Sequence, residues 1–421
     1  MSTILKRGGA NDELTDADVS EFVREFIGRA SGKPRKVLLI PPDYSRFHGG
    51  AGPICAQLYC HYSAAATVHL LPALGTHRPM TPAEIRSMFP GVPENKVLVH
   101  DWRRGLATLG EIPGSRLKAL SEGRVSYPIR VEIDRLIVEG GYDLVISTGQ
   151  VVPHEVAGMA GGNKNVLVGA SGPDMINKSH FLGAVCNMER IMGQMDNPVR
   201  TLFNEAEAEF LGQFKIQYII TVRARNGAGR LVTRGLFAGP GLPPYEAAAR
   251  LSQKVNIETV RPLKKTVVFL DPAEFKSTWL GNKAIYRTRM AMADRGELLI
   301  IAPGLVEFGE AEVNERLIRK YGYRGTPATL KAVDEHEDLR DSLGAAAHLI
   351  HGSSEGRFTI TYASGGLTRR EIEDVGFNSA DFQSALKRYP PDILKDGFQT
   401  LPDGEEIFYI SNPALGLWRR E

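Results

Sequence analysis

Three short apolar runs in the first 150 residues each end in a cluster of ionisable side chains, and this arrangement constrains the fold most. Lys-Val-Leu-Leu-Ile (36–40) runs into Pro-Pro-Asp43, with Tyr44, Ser45 and Arg46 just beyond. Thr-Val-His-Leu-Leu-Pro-Ala-Leu (67–74) runs into Gly75-Thr76-His77-Arg78, and Tyr142–Gln150 leads to Pro153-His154. Short apolar runs bounded by turn residues suit strands buried on both faces. Amphipathic stretches separate them. Residues 15–30 place Val19, Phe22, Val23, Phe26 and Ile27 on one helical face behind a Thr15 or Asp16 cap, and a second helix is expected over about 54–65. The pattern is that of an open α/β sheet, where ligands bind beyond the carboxyl ends of the strands. Asp43, Arg46, His77, Arg78 and His154 then share one edge.

The chain continues with strands over Ile216–Gly235, joined at an Asn226-Gly227 hairpin signal, and a helix over Pro243–Val255. After Pro262 a second α/β pattern starts with Thr-Val-Val-Phe-Leu-Asp-Pro. It continues with a helix at about Lys283–Ala293, a strand Leu-Leu-Ile-Ile-Ala-Pro-Gly, a helix Glu310–Tyr321 and a strand Arg-Phe-Thr-Ile-Thr-Tyr-Ala-Ser. The fold class expected is therefore α/β, with two domains and the site in the cleft between them. Residues 1–260 would carry the catalytic groups, and the smaller 261–421 domain would close over the substrate.

Composition narrows the function classes. Fifty-one Lys and Arg against 49 Asp and Glu leave a net charge of +2, which gives no electrostatic reason for nucleic acid or an anionic membrane as partner. Cys55, Cys60 and Cys186 form no CxxC pair, so a reduced cytosolic protein is expected, not a disulfide scaffold. The N-terminus has no apolar signal core, and no run is long enough for a membrane span. A cytoplasmic location is the expectation.

Between Pro153 and His180 the chain concentrates chemistry: His154, then Gly161-Gly162-Asn163-Lys164, then His180. Paired glycines permit positive φ and close approach of a ligand, and exposed amides in such a loop can cradle a phosphate. Asn163 separates Lys164 from the second glycine and Asn165 follows, so this is no Walker P-loop. His154 is followed by Glu-Val-Ala-Gly, so the zinc pattern H-E-x-x-H is absent too. Gly352-Ser353-Ser354-Glu355-Gly356 matches G-x-S-x-G but precedes a strand, and reads as a turn. Asp43 with Arg46 could hold a ligand carboxylate, or form a plain surface ion pair. His77 and His154 suit proton transfer near neutral pH. Lys283 and Arg287 lie four apart, with Arg289 beyond them; like charges on one face suggest an anionic ligand or a solvated surface.

Taken together, Asp-Tyr-Ser-Arg at 43, Gly-Thr-His-Arg at 75, Pro-His-Glu-Val-Ala-Gly-Met-Ala-Gly-Gly-Asn-Lys at 153 and His180 resemble the lactate racemase family. His154 to Lys164 is ten residues and Lys164 to His180 sixteen, which also fits. These are nickel-pincer enzymes that racemise or epimerise 2-hydroxy acids. The resemblance implies nickel in a pyridinium-3,5-dithiocarboxylic mononucleotide attached to Lys164, with His180 as the protein's nickel ligand. It implies Asp43, Gly161, Gly162 and Asn163 around the cofactor. His77 and His154 would be the acid–base pair, and Arg46 and Lys283 would hold the substrate carboxylate, with Arg78 and Arg287 as further cations. Implied partners are a small 2-hydroxy acid and the proteins that synthesise the cofactor. The resemblance is thinnest near Lys283: lactate-acting members carry Gln three residues earlier, and here Leu280 stands there after Trp279. A larger or more polar substrate, such as a sugar acid, is the expectation. A non-catalytic binding protein for an anionic metabolite or nickel, or a metal-dependent hydrolase, are the alternatives.

Overall fold

Val37, Leu38, Leu39 and Ile40 are all buried, so the Lys36–Ile40 strand must be covered on both faces. In the computed structural model, which describes residues 4–29 and 32–421, it lies inside a six-stranded sheet. The strand order is Leu5–Gly8, Leu231–Pro240, Gln217–Arg225, Leu144–Gln150, Lys36–Ile40, Thr67–Leu70. The last four run parallel, and Leu231–Pro240 and Leu5–Gly8 add antiparallel pairings at the other edge. The chain leaves Lys36–Ile40 for Thr67–Leu70 on one side, then returns to place Leu144–Gln150 on the other. Connections diverge at such a reversal and leave a crevice at the carboxyl ends of the strands.

The first helix, Asp16–Arg29, buries Phe22, Val23 and Phe26 against the sheet side chains Val37, Leu39 and Val68. Each such side chain contributes roughly 1.5–3 kcal/mol on burial. The expected last position, Ala30, lies outside the described residues. The second helix starts earlier than its apolar pattern suggested, at Ala51, because Gly50 turns the chain with a φ of 78°. It ends at Tyr62. Thr81 and Glu84 form a reciprocal capping box on the helix Pro82–Met88.

The chain divides into two compact units, Met1–Leu182 with Ile191–Asn256, and Gly183–Arg190 with Ile257–Glu421. The second unit therefore takes in a short stretch from within the region expected for the first. Glu189 accounts for it, pairing with Arg289 at 2.8 Å and Arg357 at 3.0 Å. This unit has its own six-stranded sheet, ordered Asn378–Ser379, Thr359–Ser364, Met292–Ala302, Leu263–Phe269, Glu406–Ile410, Gly397–Thr400. All neighbours are parallel except the final pair. Its strand order reverses between Leu263–Phe269 and Glu406–Ile410.

The helix expected to reach Ala293 stops at Thr288, and a strand begins at Met292. The Arg289 side chain is withdrawn into the core, where Glu189 and the Ser353 carbonyl receive it. Met292 pairs with Leu263, and the register then shifts before Lys265 meets Glu297. Sheet pairing has overridden the helical pattern of the sequence there. Among the described residues, no helix is long and apolar enough to cross a membrane.

Candidate active site

The first unit brings its strand-end groups together at the reversal of its sheet. Asp43 follows Lys36–Ile40 and opens a 3-10 turn over Tyr44–Gly49. It is buried, and its Oδ2 lies 2.7 Å from His77 Nδ1 while its Oδ1 accepts from Ser45 Oγ at 2.5 Å. Burial opposes ionisation of Asp43. The hydrogen bond and charge of His77, the Ser45 hydroxyl and Arg46 outweigh it and hold the carboxyl below the usual range. An ionised carboxylate can only accept, so His77 Nδ1 donates and Nε2 keeps its lone pair. The His77 side chain is 56% exposed, so that nitrogen belongs to an accessible ring. Gly75, at a φ of 55°, makes the tight turn that delivers it, and its N–H is fixed to the Gly169 carbonyl at 2.8 Å.

His154 has the opposite arrangement. A two-residue ladder, Pro153–His154 against Gly158–Met159, folds the loop back on itself. Nδ1 of His154 accepts from the backbone N–H of Val156 at 3.1 Å and of Ala157 at 3.3 Å. The neutral ring therefore carries its proton on Nε2. Burial lowers its pKa well below the ordinary value; nearby Glu155 opposes this, while Lys164, Arg46 and His180 add to it.

Lys164 opens the short helix Lys164–Leu167. Its pKa is pushed down to about 8, chiefly by burial and then by Arg46, with Glu155 opposing and Arg200 reinforcing. Roughly one amine in ten is then neutral at pH 7, against roughly one in several thousand for an ordinary lysine. The preceding glycines sit in left-handed conformations with no room for a side chain. A Cβ on Gly161 would come 2.8 Å from the Gln150 carbonyl, and one on Gly162 2.9 Å from the Tyr245 ring.

His180 lies on the helix Pro173–Val185, one turn after Ile176. Its Nδ1 donates to the Ile176 carbonyl at 2.5 Å, so Nε2 is the nitrogen with a free lone pair. Burial, and then Lys164, lower its pKa to about 4, so the ring is neutral at neutral pH. A neutral imidazole oriented by a backbone carbonyl is in the state a metal requires. Among the described residues no group of three or more His, Cys, Asp or Glu side chains could hold a metal ion.

Electrostatic neighbours link these residues into one group: Asp43 feels His77 and Arg46, His154 feels Arg46, Lys164 and His180, and Lys164 feels Arg46 and Asp43. Two expected cations are placed elsewhere. Arg78 is 67% exposed and forks onto Glu84 at 2.7 and 3.2 Å, serving the capped helix. Arg287 is buried in the second unit and donates to the Gly416 carbonyl at 3.4 Å. Arg289, in the same presumed cationic stack, is the Glu189 partner. Lys283 lies 3.9 Å from Glu274, which follows the Leu263–Phe269 strand, so it sits by the reversal of the second unit's own sheet. Residues that sequence reasoning missed surround the glycine loop: Arg200, Asn204, Glu207, Tyr218 and Tyr245.

Residues 29–193 match the lactate racemase N-terminal domain. The family match is thus to this N-terminal segment of the chain. The lactate racemase of Thermoanaerobacterium thermosaccharolyticum is 28% identical over 137 residues; that match covers 32% of this chain and 29% of the relative. Two solved structures share the fold. A Thermotoga maritima protein superposes with a TM-score of 0.80 at 23% identity, covering 98% of this chain and 100% of its own. The T. thermosaccharolyticum lactate racemase apoprotein superposes with a TM-score of 0.70 at 16% identity, covering 99% and 94%.

Proposed function

We propose that the protein inverts C2 of a 2-hydroxy acid, using a nickel-pincer nucleotide joined to Lys164 with its nickel on His180. The observation that carries this reading is the state of the two anchors. Lys164 is a lysine with an unusually neutral amine, and His180 is a neutral imidazole with its Nε2 free. The Gly161-Gly162 turn packs against the Gln150 carbonyl and the Tyr245 ring, which fixes the backbone leading to Lys164. Donor set and protonation therefore fit the group. When bound, it supplies a reversible acceptor for the C2 hydrogen as hydride, which avoids forming a poorly stabilised carbanion.

The chain's own residues supply the remainder. His77 takes the substrate hydroxyl proton on Nε2, and Asp43 stabilises the imidazolium that results. His154 is the second histidine. In its neutral state Nε2–H donates a hydrogen bond, and its ring exchanges a proton only by loosening the Val156 and Ala157 amides from Nδ1. Arg46 holds the substrate carboxylate.

The substrate is a 2-hydroxy acid larger or more polar than lactate. Leu280 stands where lactate-acting members are expected to carry Gln, and the Trp279 ring before it stacks 4.3 Å from His348. The test is a panel of single-stereoisomer 2-hydroxy acids given to protein produced with the cofactor-synthesis proteins, following loss of optical rotation. Inversion of an aldonate faster than lactate supports the reading. Faster inversion of lactate overturns the substrate assignment, and no inversion of any member overturns the activity.

A further inference from the structure

The helix Pro198–Ala206 turns a polar face inward. Asn197, Arg200, Asn204 and Glu207 fall at helical spacing on one side, and each is committed to the loop that ends at Lys164. Asn197 caps the helix by accepting the Arg200 N–H at 3.0 Å, and its amide donates to the Ala157 carbonyl at 3.2 Å. Arg200 is only 2% exposed. Its Nη2 donates to the Met159 carbonyl at 2.6 Å and its Nη1 to Asn163 Oδ1 at 2.5 Å. The Asn163 amide in turn donates to Asn204 Oδ1 and to Glu207 Oε2, each at 2.9 Å. Glu207 is steadied by the Tyr218 hydroxyl at 2.6 Å, and it opens a π turn, an irregularity frequent at functional sites.

Tyr245 completes the enclosure. Its ring lies against Gly162, and the Arg200 guanidinium stacks on it 4.0 Å from the centroid. The loop is thus held at Met159, at Gly162 and at Asn163, the residue before Lys164. A buried guanidinium is a costly element: its Nε has no acceptor, and its two forks end on neutral oxygens. Nothing in the fold of the helix requires a cation there, since a buried apolar residue would pack at lower cost.

We propose that Arg200 is a positioning residue for covalent attachment at Lys164: with Asn163, Asn204, Glu207 and Tyr245 it fixes the Gly161–Lys164 loop so that the amine meets an acyl group. This rests on the tethering role of Lys164 proposed above. Arg200 also adds a fixed positive charge that disfavours the ammonium form, in the same direction as burial and the larger effect of Arg46.

The test uses the full-length protein without cofactor. Trace acetic anhydride acetylates neutral amines with release of acetate, and peptide mass spectrometry reads Lys164 against exposed Lys331 over pH 6–11. Arg200→Met removes the fork and the charge at similar length. The Lys164 midpoint, near 8 in the wild type, is expected to rise by a unit or more. A one-unit rise lowers the neutral fraction at pH 8 about fivefold. Backbone amides of 158–164 exchange hydrogen faster. If Arg200→Met does not fold, Asn204→Ala opens the clamp from the other side, with a smaller shift in the same direction. Unchanged midpoints and unchanged amide exchange in a folded variant overturn the proposal. A clamp that behaves as expected, in a protein whose Lys164 never acquires the nickel-pincer adduct, leaves the positioning intact and sinks the tethering reading instead.

Discussion

Asp43→Asn tests the proton-handling half of the site with little change in shape. The Asp43 carboxylate meets His77 Nδ1 at 2.7 Å, a charge-assisted bond once the ring is an imidazolium. Such bonds contribute about 1.5–3 kcal/mol and neutral ones about 0.5–1.5, so the substitution removes about 1–2 kcal/mol of stabilisation from the protonated ring. That lowers kcat/KM about 5- to 30-fold if the new amide offers its oxygen to Nδ1. If the amide turns its nitrogen there, Nδ1 becomes the acceptor and Nε2 carries the proton. General-base catalysis is then lost, a factor of about 10²–10⁴. The assay is initial-rate loss of optical rotation with cofactor-loaded protein, at several substrate concentrations. The loss falls on kcat, since Asp43 acts on the substrate only through His77. A variant with wild-type kcat, or a loss confined to KM, refutes the dyad.

Three further outcomes follow from the same geometry. Gly162→Ala places a Cβ 2.9 Å from Tyr245 at a φ of 64°; the left-handed backbone alone costs about 1–2 kcal/mol, so the urea midpoint falls, and an unchanged midpoint contradicts the close packing. His348 is buried with its pKa lowered to about 3, and its Nε2 accepts from the Tyr323 hydroxyl at 3.0 Å. Its folded pKa lies below the unfolded one, so its contribution is complete above about pH 6.5 and falls away as the pH drops towards the folded value, by about 2–3 kcal/mol at pH 4.5. His348→Gln should flatten the acid limb of a urea-midpoint profile relative to wild type, and parallel limbs contradict this. Arg46→Ala should raise KM for the hydroxy acid about tenfold or more, as loss of a charge-assisted carboxylate contact does; unaltered KM removes Arg46 from substrate binding.

The parts of this protein that were legible in the sequence are those set by local rules. Buried strands show as unbroken apolar runs, and the groups at their ends, Asp43, His77 and His154, are carried to one edge by the sheet topology alone. The missed parts depend on partners far along the chain. Arg287 and Arg289 looked like part of an anion site because like charges at helical spacing have no local reason to be there. The reason was remote: Glu189, a hundred residues earlier, neutralises Arg289, and the Gly416 carbonyl takes Arg287. Arg200 was passed over for the converse reason. Nothing local says which way the polar residues at 197, 200, 204 and 207 face, and only the folded chain shows them turned onto Met159 and Asn163. The helix expected to reach Ala293 failed at Thr288 because the strand Leu263–Phe269 claims Met292. A helical period cannot reveal a pairing partner.

The central claim is that Lys164 carries the cofactor and His180 its nickel. Intact-mass and peptide mass spectrometry, with nickel analysis, on protein produced alongside the cofactor-synthesis proteins test it most directly. The account predicts a nucleotide-sized adduct on the Lys164 peptide with nickel bound, and neither adduct nor inversion of 2-hydroxy acids in Lys164→Ala. An adduct on another residue, or a Lys164→Ala protein that still inverts its substrate, would contradict it.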